Sequence, residues 1–282
     1  MRSLFSLLLV LLITAGYSFA QEGQFPFSKA PEWKPILDKG PFEISPHQKI
    51  TLRFRPSVVP LRYNYRQRDK VCKRDWDMKK HEFFYDHIKQ YEVAVRSIRP
   101  TAAATEDPDI LELTTKQTYG AHNYNGRQVQ RLLKEKTQKE YSTVLGQYTD
   151  GEGKLLPPTF VGRPILPQRD VAIGDTWQEV RLAREEFPME VLTVYKFIGY
   201  RRRRGRRCAF IEMNSYAQGH HPDENSSVDL RMKGQFYFAI NEGFVLLYNR
   251  NSRITIKTIK DKKKGAPYCE SRVIDTFYRF KG

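Results

Sequence analysis

Hydrophobic and polar residues alternate with a period of two along much of the chain, the pattern of strands that turn one face to a core and the other to solvent. Ile50, Leu52 and Phe54 alternate with Lys49, Thr51, Arg53 and Arg55, and Leu61, Tyr63 and Tyr65 alternate with Arg62, Asn64 and Arg66. Similar runs span Glu190–Tyr200, Cys208–Tyr216, Val228–Ile240, Phe244–Asn249, Arg253–Ile259 and Arg272–Phe280. Turn residues separate them at short intervals, which predicts a strand-dominated protein. Two stretches carry helical spacing instead. Val129, Leu132, Leu133 and Lys136 stand at i, i+3, i+4 and i+7, and Trp76, Phe83, Phe84 and His87 follow a looser version. The expected class is mainly β, a β-rich α+β fold with one or two short helices on a large curved antiparallel sheet or half-barrel.

The order of elements recurs. In the second half Gly174–Trp177 opens, Val191–Tyr200 runs long, Cys208–Ala217 returns, and Leu230–Ile240 leads through Asn241-Glu242-Gly243 into Phe244–Tyr248. In the first half Arg68–Val71 opens, Gln90–Ile98 runs long, Ile110–Thr118 returns, and Tyr141–Tyr148 leads through Thr149–Gly153 into Lys154–Leu156. Two meanders, residues 47–156 and 168–282, are expected to dock on each other across a Pro-rich seam at 157–167, because neither alone covers its apolar face.

Charge and composition narrow the setting. The 282 residues carry 48 Lys+Arg against 32 Asp+Glu, a net charge of +16, with 40% hydrophobic residues and a mean hydropathy of -0.62. These values exclude a polytopic membrane protein and wholesale disorder. At the N-terminus, Arg2 precedes an apolar run from Leu4 to Ile13, and Ser18-Phe19-Ala20 places small residues where a signal peptidase reads. Residues 1–20 are therefore expected to be a cleaved signal peptide, and 21–46, with five prolines, an extended lead-in. No Cys follows Ala20, which argues against a lipoprotein. The expected product is exported and basic, periplasmic or extracellular, and not integral to the membrane.

Three cysteines allow at most one internal bridge. Cys208 begins an apolar strand run, where a buried thiol is the ordinary outcome, so Cys72 and Cys269 form the candidate disulfide.

From Pro167 the sequence reads Val171-Ala172-Ile173-Gly174-Asp175-Thr176-Trp177, then a long Val/Tyr strand, then Gly205-Arg206-Arg207-Cys208-Ala209-Phe210-Ile211-Glu212, and later Gly234-Gln235-Phe236-Tyr237-Phe238 and Asn241-Glu242-Gly243-Phe244. Over Leu166–Ile259 this order resembles a group of uncharacterised exported bacterial β-proteins, whose architecture is similar to the half-barrel of lipoprotein carriers and periplasmic lipid-binding proteins. The resemblance implies a fold and a compartment, and it carries over no catalytic residue.

Arg201, Arg202, Arg203, Arg204, Arg206 and Arg207 surround Gly205 between two strand runs, a hairpin tip whose self-repulsion points to a polyanionic neighbour such as a membrane surface or an envelope polymer. Lys260–Lys264 reads as a solvated turn. His220-His221-Pro222-Asp223-Glu224 reads as a polar loop, because adjacent side chains in an extended segment point apart and do not converge on a metal. No catalytic residue, metal site or cofactor is predicted, and no specific nucleic acid partner. The function expected is non-enzymatic binding in the bacterial envelope, with a lipid or amphiphile held on the curved sheet. The alternative is a structural or adaptor protein that contacts envelope polymers or a protein partner. Oligomeric state is left open by the sequence.

Overall fold

The computed structural model describes residues 48–98, 110–125, 127–132, 135–156, 163–182, 189–220, 226–258 and 268–281. All belong to one unit, Trp33–Gly282. The predicted signal peptide, the lead-in 21–46 and the Lys260–Lys264 cluster lie outside these residues.

A first meander runs β1 (Leu61–Arg74), β2 (Lys80–Ile98), β3 (Ile110–Tyr124), β4 (Arg127–Leu132), β5 (Lys136–Thr143) and β6 (Tyr148–Thr149). A second runs β7 (Thr176–Leu182), β8 (Glu190–Arg203), β9 (Arg206–His220), β10 (Ser226–Ala239), β11 (Phe244–Thr258) and β12 (Cys269–Phe280). They share one open antiparallel sheet, ordered β6-β5-β3-β2-β1-β12-β11-β10-β9-β8-β7, with β4 paired to the far end of β3. The first and last strands make the join, from Tyr63 opposite Phe280 to Arg74 opposite Cys269.

Curvature enters where the ladders slip. Register shifts fall at Gln90/Tyr91 on β2, Phe197/Gly199 on β8, Tyr237/Phe238 on β10 and His122/Asn123 on β3. Each such bulge bends its strand and increases local twist, which turns a wide sheet into a trough.

The structure differs from the sequence pattern at two places. The described residues contain no helix: Arg127–Leu132 is the strand β4, and Phe83, Phe84 and His87 lie in β2 with Trp76 in the turn before it. Cross-strand partners decide the second case, since Phe83 faces Val71 on β1 and stacks on Tyr124 of β3. Nor does Lys49–Arg55 join the ladder. Ile50 forms a single bridge with Val171, and the chain then crosses the strand ends as a strap, with Phe54 N–H on Val144, Arg55 N–H on Gly243 and Ser57 N–H on Val95. The alternation is real but serves docking, for Ile50, Leu52 and Phe54 are all buried.

The strap closes the core at that end. Phe54 meets Phe238 edge to face with centroids 5.4 Å apart, within a layer that includes Phe197, Tyr200, Phe210, Phe236 and Tyr237. Each such ring contributes roughly 1.5–3 kcal/mol by burial. Gly243 lets the strap approach. Its φ is +69°, and a Cβ there would come within 2.7 Å of the Arg53 carbonyl oxygen.

Candidate binding site

Side-chain parity assigns the lining of the trough. Tyr63 pairs with Tyr91 and Phe280, Tyr65 with Lys89 and Tyr278, Tyr278 with Tyr248, and Arg250 with Thr276, so all of these share one face. On β2, β3 and β5 the same face carries Val93, Val95, Leu111, Leu113, Thr115, Gln138 and Glu140. Both meanders thus line a cavity of about 420 Å³, capped by Phe54, Arg163 and Pro164 from the crossing segments. That volume lies within the ~300–1,000 Å³ range of small-molecule sites.

The wall is graded. Near the strap it is aliphatic, through Leu61, Val93, Val95, Leu111, Leu113 and Val245. Deeper along the strands it becomes phenolic. Tyr63 and Tyr278 stack with centroids 4.2 Å apart, and Tyr65 meets Tyr91 edge on at 6.2 Å. Burial pushes the Tyr91 phenol up to about 12, and it raises Tyr63 and Tyr278 as well, with Arg163 pulling partly the other way in both. Hence these hydroxyls stay protonated at any physiological pH, as neutral polar groups on an apolar surface. Beyond them stand cations. Lys89 and Arg250 hold that position, whereas Arg55 belongs to the strap and Arg163 lies against Phe54; among the described lining residues these four cations meet one acid, Glu140.

Beside Arg163 and Arg250 a small annex of about 20 Å³ reaches Glu179, Arg181 and Tyr195. Strand spacing puts Trp177, Glu179 and Arg181 on the inward face of β7, where Trp177 faces Tyr195 across the ladder and stacks on it. Arg181 Nε donates to Glu179 Oε2 at 2.7 Å, Tyr195 Oη–H donates to Glu179 Oε1, and Arg181 Nη2 donates to the Arg163 carbonyl oxygen at 2.6 Å. Both charged side chains are 7% exposed. Burial raises the Glu179 carboxyl above its usual range although Arg181 and Tyr195 both favour the charge; burial alone would lower Arg181, but the Glu179 carboxylate together with Tyr195 and Tyr148 more than offsets it. This cluster anchors the segment that carries Arg163 over the cavity.

The arginine tip divides. Arg204 and Gly205 have φ of +50° and +75° and form a two-residue turn between Arg203 and Arg206. Arg202 and Arg204 are exposed, whereas Arg201, Arg203, Arg206 and Arg207 are half-buried. Arg207 lies 4.2 Å from the Tyr200 ring centroid and donates to Gln48 Oε1 at 2.7 Å. Arg203 lies over Tyr237 at 5.0 Å, and Arg206 lies over Phe280 at 5.4 Å and pairs with Glu242 at 3.3 Å. Three of the six therefore clamp the end of the core.

All three thiols are free. Cys208 is buried, and burial pushes it up to about 11. Cys72 faces Ser271 and Cys269 faces Arg74, which sets the pair on one face of neighbouring strands but on a diagonal, at ~7–8 Å where a bridge wants less than ~7 Å. His81 and His87 share a face of β2 six positions apart, too far to converge, and His221–Glu224 lies outside the described residues. No group of three His, Cys, Asp or Glu among the described residues is placed to hold a metal.

The cavity lining is what sequence reasoning missed. Its signal was local, in polar or aromatic residues at inward parity: Tyr63-x-Tyr65, Tyr248-x-Arg250 and Glu179-x-Arg181.

No family model matches the chain, and no curated protein does. Among solved structures it is similar to DynF of the dynemicin biosynthesis pathway of Micromonospora chersina, at 8% identity and TM-score 0.23 over 88% of this chain and 92% of that one. It is also similar to a Bacteroides fragilis protein described as exported with a YmcC-like fold, at 10% identity and TM-score 0.27 over 82% and 100%. A third is an outer-membrane channel from Pseudomonas putida F1, at 10% identity and TM-score 0.21 over 84% and 100%. Likenesses of this degree assign no activity. No helix among the described residues is long and apolar enough to cross a membrane, which says nothing of a barrel.

Proposed function

We propose that this is an exported, non-enzymatic protein of the bacterial envelope that holds a lipid or other amphiphile in the trough of its sheet. The observation that carries the reading is the cavity of about 420 Å³, aliphatic near the strap and phenolic deeper along the strands, with four cations on its lining. A graded wall of this kind suits a ligand that is itself graded, since each part of it leaves water for a matching surface. The apolar N-terminal run and the basic charge support the compartment, and exposed Arg202 and Arg204 give the outside of the protein a contact for anionic headgroups or envelope polymers.

Titration with N-phenyl-1-naphthylamine, a neutral fluorescent amphiphile, tests the reading. The wild-type protein should give saturable enhancement at one site. Thr115→Trp, which places an indole on the cavity wall, should weaken it at least tenfold with an unchanged circular dichroism spectrum. A wild-type protein without saturable enhancement, or a Thr115→Trp variant that binds as wild type, would remove the cavity from the function.

A further inference from the structure

The polar end of the cavity contains donors that the protein itself leaves unused. Arg250 lies on β11 between Gly234 of β10 and Thr276 of β12, so its neighbours in register are a residue without a side chain and one with a short side chain. Arg250 Nε and Thr276 Oγ1 are both buried and have no hydrogen-bond partner among the described residues. Both residues line the cavity. A buried donor without an acceptor costs ~1–3 kcal/mol, and Arg250 itself is only half-buried, so its fork stays open to the cavity. Such groups are retained where something else completes them.

No acid among the described residues fills that place. Glu179, the buried carboxylate nearest in the annex, is taken up by Arg181 and Tyr195. Glu140, the one acid among the described residues of the cavity wall, accepts from Gln138 Nε2 at 2.9 Å. Arg163 enters from above with its Nη1 3.4 Å from Ser142 Oγ and its guanidinium 5.7 Å from the Phe54 ring centroid, contacts with a hydroxyl and a ring rather than a carboxylate. Two guanidiniums thus border the same space, in a site where weak screening strengthens charge recognition.

We infer that the cavity binds the anionic head of its amphiphile, a carboxylate or a phosphate monoester, at Arg250 and Arg163, with Thr276 Oγ1 donating to the same group and the aliphatic wall taking the chain. The inference rests on the amphiphile reading and adds the class of ligand. Arginine suits the role because its planar fork gives two parallel charge-assisted hydrogen bonds to either head. The phenols of the lining remain neutral, so they add no charge that would repel the head.

Displacement of N-phenyl-1-naphthylamine by oleate, 1-oleoyl lysophosphatidic acid, oleyl alcohol and inorganic phosphate separates the possibilities, with wild type, Arg250→Gln and Arg250→Lys compared. At least one of the two anionic lipids should displace the probe ten or more times more tightly than oleyl alcohol, and the tighter of the two names the head. Arg250→Gln should abolish that advantage while leaving oleyl alcohol within twofold, and Arg250→Lys should recover only part of it. Equal displacement by oleate, lysophosphatidic acid and oleyl alcohol, unchanged in Arg250→Gln, would overturn the inference and leave the cavity reading standing. Inorganic phosphate competing as well as the lysolipid would overturn it in favour of a free-anion site. No displacement by any lipid, from a protein that binds the probe, would overturn both readings.

Discussion

Glu212 lies on the face of β9 away from the cavity, opposite Lys196 on β8 and Gln235 on β10. It is buried, and burial raises its carboxyl above the usual value, with Lys196 offsetting only part. The native state therefore holds this proton more tightly than the unfolded chain, and stability falls as pH rises from the ordinary carboxylate range through the raised value. Glu212→Gln keeps the shape and removes the charge. Melting followed at several pH values should show the variant about 2 °C more stable than wild type at pH 7, with the gain fading towards about pH 4. A less stable variant at pH 7 would mean that the Lys196 attraction outweighs desolvation. At this scale much was readable. The run from Cys208 to Met213 reads as a strand with a buried thiol, but that the strand is buried on both faces, and what meets Glu212 within it, depends on neighbours the sequence does not supply.

The β8–β9 hairpin shows how an element divides residues of one type. Its turn places Arg204, a residue with a Cβ, at φ +50°, where Asn followed by Gly is the favoured pair. Arg204→Asn should raise the free energy of unfolding by about 0.5–1 kcal/mol in urea titrations. Arg206→Gln should lower it by about 1 kcal/mol, because it loses the Phe244 and Phe280 rings and the Glu242 pair. Arg202→Gln should stay within about 0.5 kcal/mol of wild type. If all three behave alike, the tip is uniformly solvated. Six arginines around a glycine identified a hairpin tip, but which of them would meet rings depended on strand twist and on side chains distant in sequence. The strap failed for a related reason. Ile50, Leu52 and Phe54 alternate as a strand does, yet their contacts are with strand ends and turns, and periodicity does not distinguish a ladder from an extended segment lying across one. Helical spacing at Val129–Lys136 was likewise too short a run to outweigh pairing with β3.

Across the whole molecule the two meanders share one core. The main cluster joins Tyr63, Val93 and Leu111 of the first to Tyr195, Phe236 and Phe280 of the second. Calorimetry should accordingly record one unfolding transition whose van't Hoff and calorimetric enthalpies agree; two resolved transitions would show that each meander is stable alone. The broad class, a curved antiparallel sheet, was legible from alternation and turn spacing. The closure between β1 and β12 was not, because their pairing joins residues roughly 200 positions apart, and no local pattern encodes it. That closure also orders events in time. Hairpins within each meander form from neighbouring sequence, whereas the β1–β12 ladder waits until the last strand has been synthesised. Until then β1 is an open edge, with backbone donors and acceptors available to any passing strand. Arg62, Arg66, Arg68 and Lys70 recur along it at every second or fourth position. Arg62, Arg66 and Lys70 pair with Glu92, Asp86 and Glu82 of β2 as soon as that hairpin forms, and the charged row that results guards the unfinished edge against aggregation while it waits.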